Sequence, residues 1–190
     1  MKRLIQRFRR DRRGVSAVEF AFIAPAMIFL YFGLAELSGA LIADRNVNLV
    51  ASEIGDLVTQ GTSDSASTDI PNMIAAGTTV MAPLPTPPLT VKLVEVYADA
   101  SGATWVKWCQ PVTACAGYPT TDQGSPTTGG TSITLPSTQG VLVSPGNCIV
   151  QSQATYTYTS PVSYFIKTPW TFTQTLYLTP RQSPCVTLTS

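Results

Sequence analysis

Histidine is absent from this 190-residue chain, and charge is scarce. Asp, Glu, Lys and Arg make up 12% of it, about half of what a soluble globular domain carries. The lack of histidine excludes Ser–His and Cys–His nucleophile systems. No Walker A or dinucleotide-binding glycine pattern is present, and no Cys-x-x-Cys pair offers a metal site. No catalytic residue, metal ligand or cofactor is therefore expected. The acidic residues of the C-terminal part are scattered. Glu95 and Asp99 could face one another, and an ordinary solvated pair is the expectation.

The few charges that exist are unevenly placed. Lys2, Arg3, Arg7, Arg9, Arg10, Arg12 and Arg13 crowd the first 13 positions, opposed only by Asp11. The remainder carries five basic against ten acidic residues. A basic head suits either a nucleic acid or the cytoplasmic flank of a membrane helix. The adjoining apolar run decides for the membrane and against nucleic acid: from Val15 to Ile42 only Glu19 and Glu36 are charged. As a helix this stretch would reach about 42 Å at 1.5 Å per residue, more than the roughly 20 residues a bilayer core requires. The charge asymmetry keeps the N-terminus in the cytoplasm and sends the C-terminal part across. A cleaved secretory signal ending at Ser38-Gly39-Ala40 fits less well, because its apolar core is short and uncharged.

Glu19 is the anomaly. A carboxylate near the bilayer interior costs about 2–3 kcal/mol or more unless it is paired. A cut between Gly14 and Val15 would resolve it. The basic leader would depart, a new amine would appear at Val15, and Glu19 would become the fifth residue of the mature helix. The amine and the carboxylate then offset each other's desolvation, within one helix at a four-residue offset or between neighbouring helices.

The run Gly14-Val15-Ser16-Ala17-Val18-Glu19-Phe20 resembles the processing site of type IV prepilins. The longer stretch RRGVSAVEFAFIAPAMIFLYFGLAEL resembles the TadE-like pseudopilins of the Tad (Flp) pilus system, with Gly14, Glu19, Phe20, Ala21 and Pro25 on the family pattern. The resemblance implies cleavage after Gly14 by a membrane-embedded prepilin peptidase and a role for Glu19 in subunit assembly. It also implies partners among other pilins, pseudopilins and the Tad secretion machinery. The region after the helix is longer than in major Flp pilins and shorter than in TadG, which favours a TadE-like or TadF-like minor subunit. Pro25 removes one helical hydrogen bond; a kink or partly melted turn there is expected, with or without a role in extraction from the bilayer.

Beyond Ile42 the helix is expected to continue, because Val47, Val50, Ile54, Leu57 and Val58 keep helical spacing. Residues 61–68 read as a loop. Asp69 is placed to cap a short helix with Pro71 in its first turn. The pattern then changes to strands: LTVKLVEVYA and TWVKWCQP flank a DASG turn. Val150, Ala154, Tyr156 and Tyr158 alternate with Gln151, Gln153, Thr155 and Thr157. Trp170, Phe172, Leu176 and Leu178 alternate with Thr171, Thr173 and Thr175. Such period-two patterning describes half-buried antiparallel strands, which the extended helix would cover. Residues 119–132, rich in Pro, Thr and Gly, read as an inserted loop.

Cys109, Cys115, Cys148 and Cys185 all lie beyond the membrane segment, in an oxidising space where disulfides form. Three pairings exist. If residues 149–159 and 170–180 form a hairpin, Cys148 and Cys185 meet at its open end, and Cys109 and Cys115 close a short loop.

The expected protein is thus α+β and pilin-like: a leader (1–14), a transmembrane helix (15–42), a helical extension with a loop and short helix (43–88), and an antiparallel β head (89–190). It would sit in the inner membrane as a single-pass minor prepilin of the Tad pilus, supporting surface adhesion. The alternative is an uncleaved, membrane-anchored envelope module that binds a glycan or a protein.

Overall fold

The computed structural model describes residues 14–61, 65–66, 69–123, 131–136, 143–163 and 165–189. The leader before Gly14, most of the expected loop at 61–68 and residues 124–130 of the expected insertion lie outside them. The long helix α1 spans Val15–Thr59. After it come β1 (Ser65–Ala66), α2 (Asp69–Thr78), β2 (Leu89–Ala98), β3 (Thr104–Gln110), β4 (Cys148–Tyr158), β5 (Trp170–Leu178) and β6 (Leu188–Thr189). An α+β fold with a four-stranded antiparallel sheet is the result, in the order β3-β2-β4-β5. The chain divides into two compact units: Met1–Ala40 with Thr159–Pro169, and Leu41–Tyr158 with Trp170–Ser190.

In the first unit, α1 begins at Val15 and presents apolar side chains outward. Phe20 is 71% exposed and Phe22 80%. The helix continues unbroken through Pro25, so of the kink or partly melted turn expected from the sequence, the melted turn is not formed. Proline has no N–H to give Ala21, yet the turns on either side hold. Thr159–Pro169, the connection between β4 and β5, lies against the helix at Gly33. A Cβ on Gly33 would sit 3.6 Å from the Phe165 ring, and Phe29 meets that ring edge-on at 6.5 Å.

In the second unit, the remainder of α1 turns one stripe into the core. Ala43, Val47, Val50, Ala51, Ile54 and Val58 have no exposed surface, as their spacing of three and four residues requires. The helix ends where Gln60 and Gly61 donate backbone N–H bonds to Asp56 and Val58 at 3.1 and 3.0 Å. The sheet approaches α1 closely enough for Ser152 to donate its hydroxyl to the Ala51 carbonyl at 2.8 Å. Gly55 makes that approach possible: a Cβ there would come within 3.0 Å of Ser152 Cβ. Two polar links fasten the edges, Gln174 to Asp44 at 3.0 Å and the Arg181 backbone N–H to the Thr59 carbonyl at 2.9 Å. The helix α2 packs Gly77 against Ile54.

The hairpin β2–β3 forms around the DASG turn. Asp99 accepts bonds from Ser101 and Ala103 backbone N–H groups at 2.8 and 2.9 Å, from the Ser101 hydroxyl at 2.6 Å and from the Trp105 indole at 3.1 Å. These donors, led by the Ser101 hydroxyl, hold its carboxyl down at about 2. A register shift falls between Glu95 and Val96. It marks a bulge, which re-aims a side chain while the ladder resumes. On the face bearing Val94, Val96, Ala98 and Ile149, a second buried cluster includes Val106, Leu135 and Val143, with the Cys109–Cys115 disulfide in it.

Candidate functional site

Gly14, Val15, Glu19 and Pro25 lie in sequence along the first turns of one helix, and all four are exposed. Among the described residues a side chain added at Gly14 would meet nothing within 4 Å. Glu19 stands one turn in from Val15, among exposed Val18, Phe20 and Phe22. In this surface of bare hydrocarbon it is the one acidic group of its turn.

The helix carries a second carboxylate, and it is treated differently. Glu36 is buried, and its Oε2 accepts the backbone N–H groups of Phe165 and Ile166 at 3.1 and 2.8 Å. One carboxyl oxygen thereby satisfies two backbone donors that would otherwise be left without a partner. In the sequence Glu36 stands out only as one of the two charges in the apolar run. Its partners lie some 130 positions along the chain, and no local pattern announces them.

The four cysteines occupy the second unit as two disulfides, Cys109–Cys115 and Cys148–Cys185. These are the pairs derived from the hairpin. The Glu95 carboxylate lies beside Cys148 and Cys185 closely enough to suggest a ligand cluster, but both sulfurs are committed to the disulfide and offer no thiolate.

Glu95 itself corrects the expectation of a solvated pair with Asp99. It has no exposed surface, and the two carboxylates serve different elements. Glu95 Oε1 accepts the Val186 N–H at 2.6 Å, while its Oε2 lies 3.9 Å from the Lys107 ammonium. Lys107 is also buried and pairs with Asp122 at 3.0 Å. Asp122 in turn accepts the Leu188 N–H at 3.0 Å, and Trp108 donates its indole to the Val186 carbonyl at 2.7 Å. Burial pushes the Glu95 carboxyl up to about 8, against the pull of the Val186 N–H and Lys107. This network fastens residues 186–188 to the sheet, after which β6 pairs in parallel with β1. Glu95 Oε2 has no hydrogen-bond partner among the described residues and meets only the Lys107 charge, while the bonds to the Val186 and Leu188 backbone make the network a structural clasp.

The fold and the N-terminal motif together define a class: a disulfide-bonded α+β protein whose long helix begins in an apolar, largely exposed segment. One helix among the described residues, Val15–Thr59, is long and apolar enough to cross a membrane. The family model of TadE-like proteins matches residues 14–56. The match begins at Gly14 and ends inside α1. No curated protein and no solved structure matches the chain.

Proposed function

We propose that the chain is a minor prepilin of the Tad pilus, held in the inner membrane by residues 15–42 with the basic leader in the cytoplasm, and matured by prepilin peptidase between Gly14 and Val15. The carrying observation is the register of three features: an exposed Gly14, a helix that starts at Val15, and an exposed Glu19 in an otherwise apolar first segment, all inside the TadE-like match. The role is structural, in assembly. After cleavage the Val15 amine and Glu19 form a complementary pair, and between neighbouring subunits that pair sets the axial register of packing. The mature protein works with other pilins and the Tad secretion apparatus, and supports surface adhesion through the pilus.

The test is the intact mass of the membrane-extracted protein from cells with and without prepilin peptidase. A form beginning at Val15, lost without the peptidase, is the expected result. A chain still beginning at Met1 in peptidase-bearing cells would overturn the proposal in favour of an uncleaved envelope-binding module. Glu19→Gln should leave cleavage intact and reduce piliation, because it removes the charge without altering the peptide bond that is cut.

A further inference from the structure

The segment Thr159–Pro169 exposes apolar side chains beside backbone N–H groups that are bonded within the protein. Val162 and Phe165 are each half exposed, and Pro161 beside them is exposed too. A short loop bathed in water has no need of such a tip. Among the described residues, three of its backbone N–H groups have acceptors within the protein. Phe165 and Ile166 give their N–H groups to Glu36. Ser163 gives its N–H to the Ser160 hydroxyl at 3.2 Å and its own hydroxyl to the Ser160 carbonyl at 2.7 Å. Pro161 and Pro169 have no N–H to satisfy. In hydrocarbon each unsatisfied backbone group costs several kcal/mol, whereas water would satisfy them without help.

Its position along α1 agrees. The segment packs on Phe29, Gly33 and Glu36. Counting from Val15 at the cytoplasmic side, a hydrocarbon core of about 30 Å ends roughly 20 residues on, near Leu34. Phe165 therefore meets the helix at or just below the outer boundary of the core. Lys167, exposed two residues later, is the segment's one charged side chain, and its length lets the ammonium reach lipid phosphates while the stem stays in the interface.

We propose that the β4–β5 connection is a second membrane contact, with Pro161, Val162 and Phe165 inserted into the interfacial zone of the outer leaflet. Glu36 is then a positioning residue: it supplies the acceptor that lets two backbone N–H groups leave water, and it fixes the loop at the depth of Gly33. The inference rests on the reading that residues 15–42 span the membrane, and the experiment separates the two.

All four native cysteines are disulfide-bonded, so one added thiol takes a nitroxide label selectively. The full chain carrying Val162→Cys, Leu30→Cys or Ser101→Cys is reconstituted in bilayers of phosphatidylethanolamine and phosphatidylglycerol. Collision rates with oxygen and with a water-soluble nickel complex are read for each label. Oxygen should dominate several-fold at Leu30 and at Val162, and the nickel complex at Ser101. Oxygen dominance at Leu30 with nickel dominance at Val162 would overturn the loop insertion and leave the spanning helix standing. Nickel dominance at Leu30 would overturn both. A further variant tests the positioning role: Glu36→Ala in the Val162→Cys background should raise nickel access at the loop label, with the Leu30 label unchanged.

Discussion

The two halves of α1 are continuous in backbone and opposite in surface. Between Val15 and Ile42 large apolar side chains such as Phe22, Leu30 and Tyr31 stand exposed; between Ala43 and Val58 the apolar stripe is sealed. The chemistry of the side chains is similar, so composition does not separate them. Periodicity does. The first half is apolar all round, as suits a helix surrounded by hydrocarbon. The second restricts its apolar residues to one stripe and places Asp44, Arg45, Glu53 and Asp56 elsewhere. One helix is thus written for two solvents, and its role changes from anchor to core without a break in the chain.

That contrast can be broken most forcefully by truncating one side chain from each half. Ile54→Ala should cost the head about 2–5 kcal/mol, the loss expected for a fully buried aliphatic side chain. Leu30→Ala should change it by less than about 0.5 kcal/mol, as an exposed position does. Denaturant unfolding in detergent, read through the fluorescence of Trp105, Trp108 and Trp170, reports on the head selectively, because all three lie in the second unit. Next in size is the double variant Cys148→Ser with Cys185→Ser, which should lower head stability by about 2–4 kcal/mol. The anchoring half contains no cysteine, so membrane extraction of the protein should be unaffected.

A glycine in each half sharpens the comparison. Gly55→Ala drives a methyl to 2.6 Å from Leu178 Cδ1 and 3.0 Å from Ser152 Cβ. After the gain in helix propensity it should cost about 1–2 kcal/mol. Gly33→Ala meets only the Phe165 ring at an ordinary 3.6 Å, and should be neutral or stabilising by up to about 1 kcal/mol. Equal effects at the two sites would remove the distinction between a packed and an uncovered half.

The remaining effect is electrostatic and belongs to the head alone. Glu95 binds its proton more tightly in the folded protein, where its carboxyl is raised to about 8, than in the unfolded chain. The folded state is thus favoured most fully below the ordinary glutamate range, and this contribution is lost as pH rises toward 8. The unfolding midpoint should fall with pH over that window, and Glu95→Gln should flatten the slope.

Much of this is legible in the sequence because the signals are local. Gly14, Val15 and Glu19 sit within two turns of helix, and the strands of the β2–β3 and β4–β5 hairpins carry period-two patterns beside recognisable turns. The disulfide pairs come from the second hairpin. What escapes is polar and non-local. Glu95 sits in an apolar strand and reads as solvated, because Lys107, Asp122 and Val186 reach it through a bulge, a loop and the C-terminal segment. Ser152 interrupts the apolar face of β4, yet it is fully buried because the Ala51 carbonyl accepts its hydroxyl. Glu36 finds its donors beyond the whole β4 strand. In each case the partner that makes burial tolerable is dictated by tertiary structure, which local periodicity does not encode.

The disulfide between Cys148 and Cys185 closes a covalent ring that contains β4, the 159–169 connection and β5. A protease that nicks the connection therefore opens the ring without dividing the molecule. The severed ends remain part of one polymer, held by the sulfur bridge as well as by the β4–β5 ladder. Mechanical load between the N-terminal helix and the C-terminal segment can likewise pass from residue 148 directly to residue 185. The intervening loop then carries none of the tension, and its contact with the helix at Gly33 and Glu36 need not bear the strain of whatever pulls on the head.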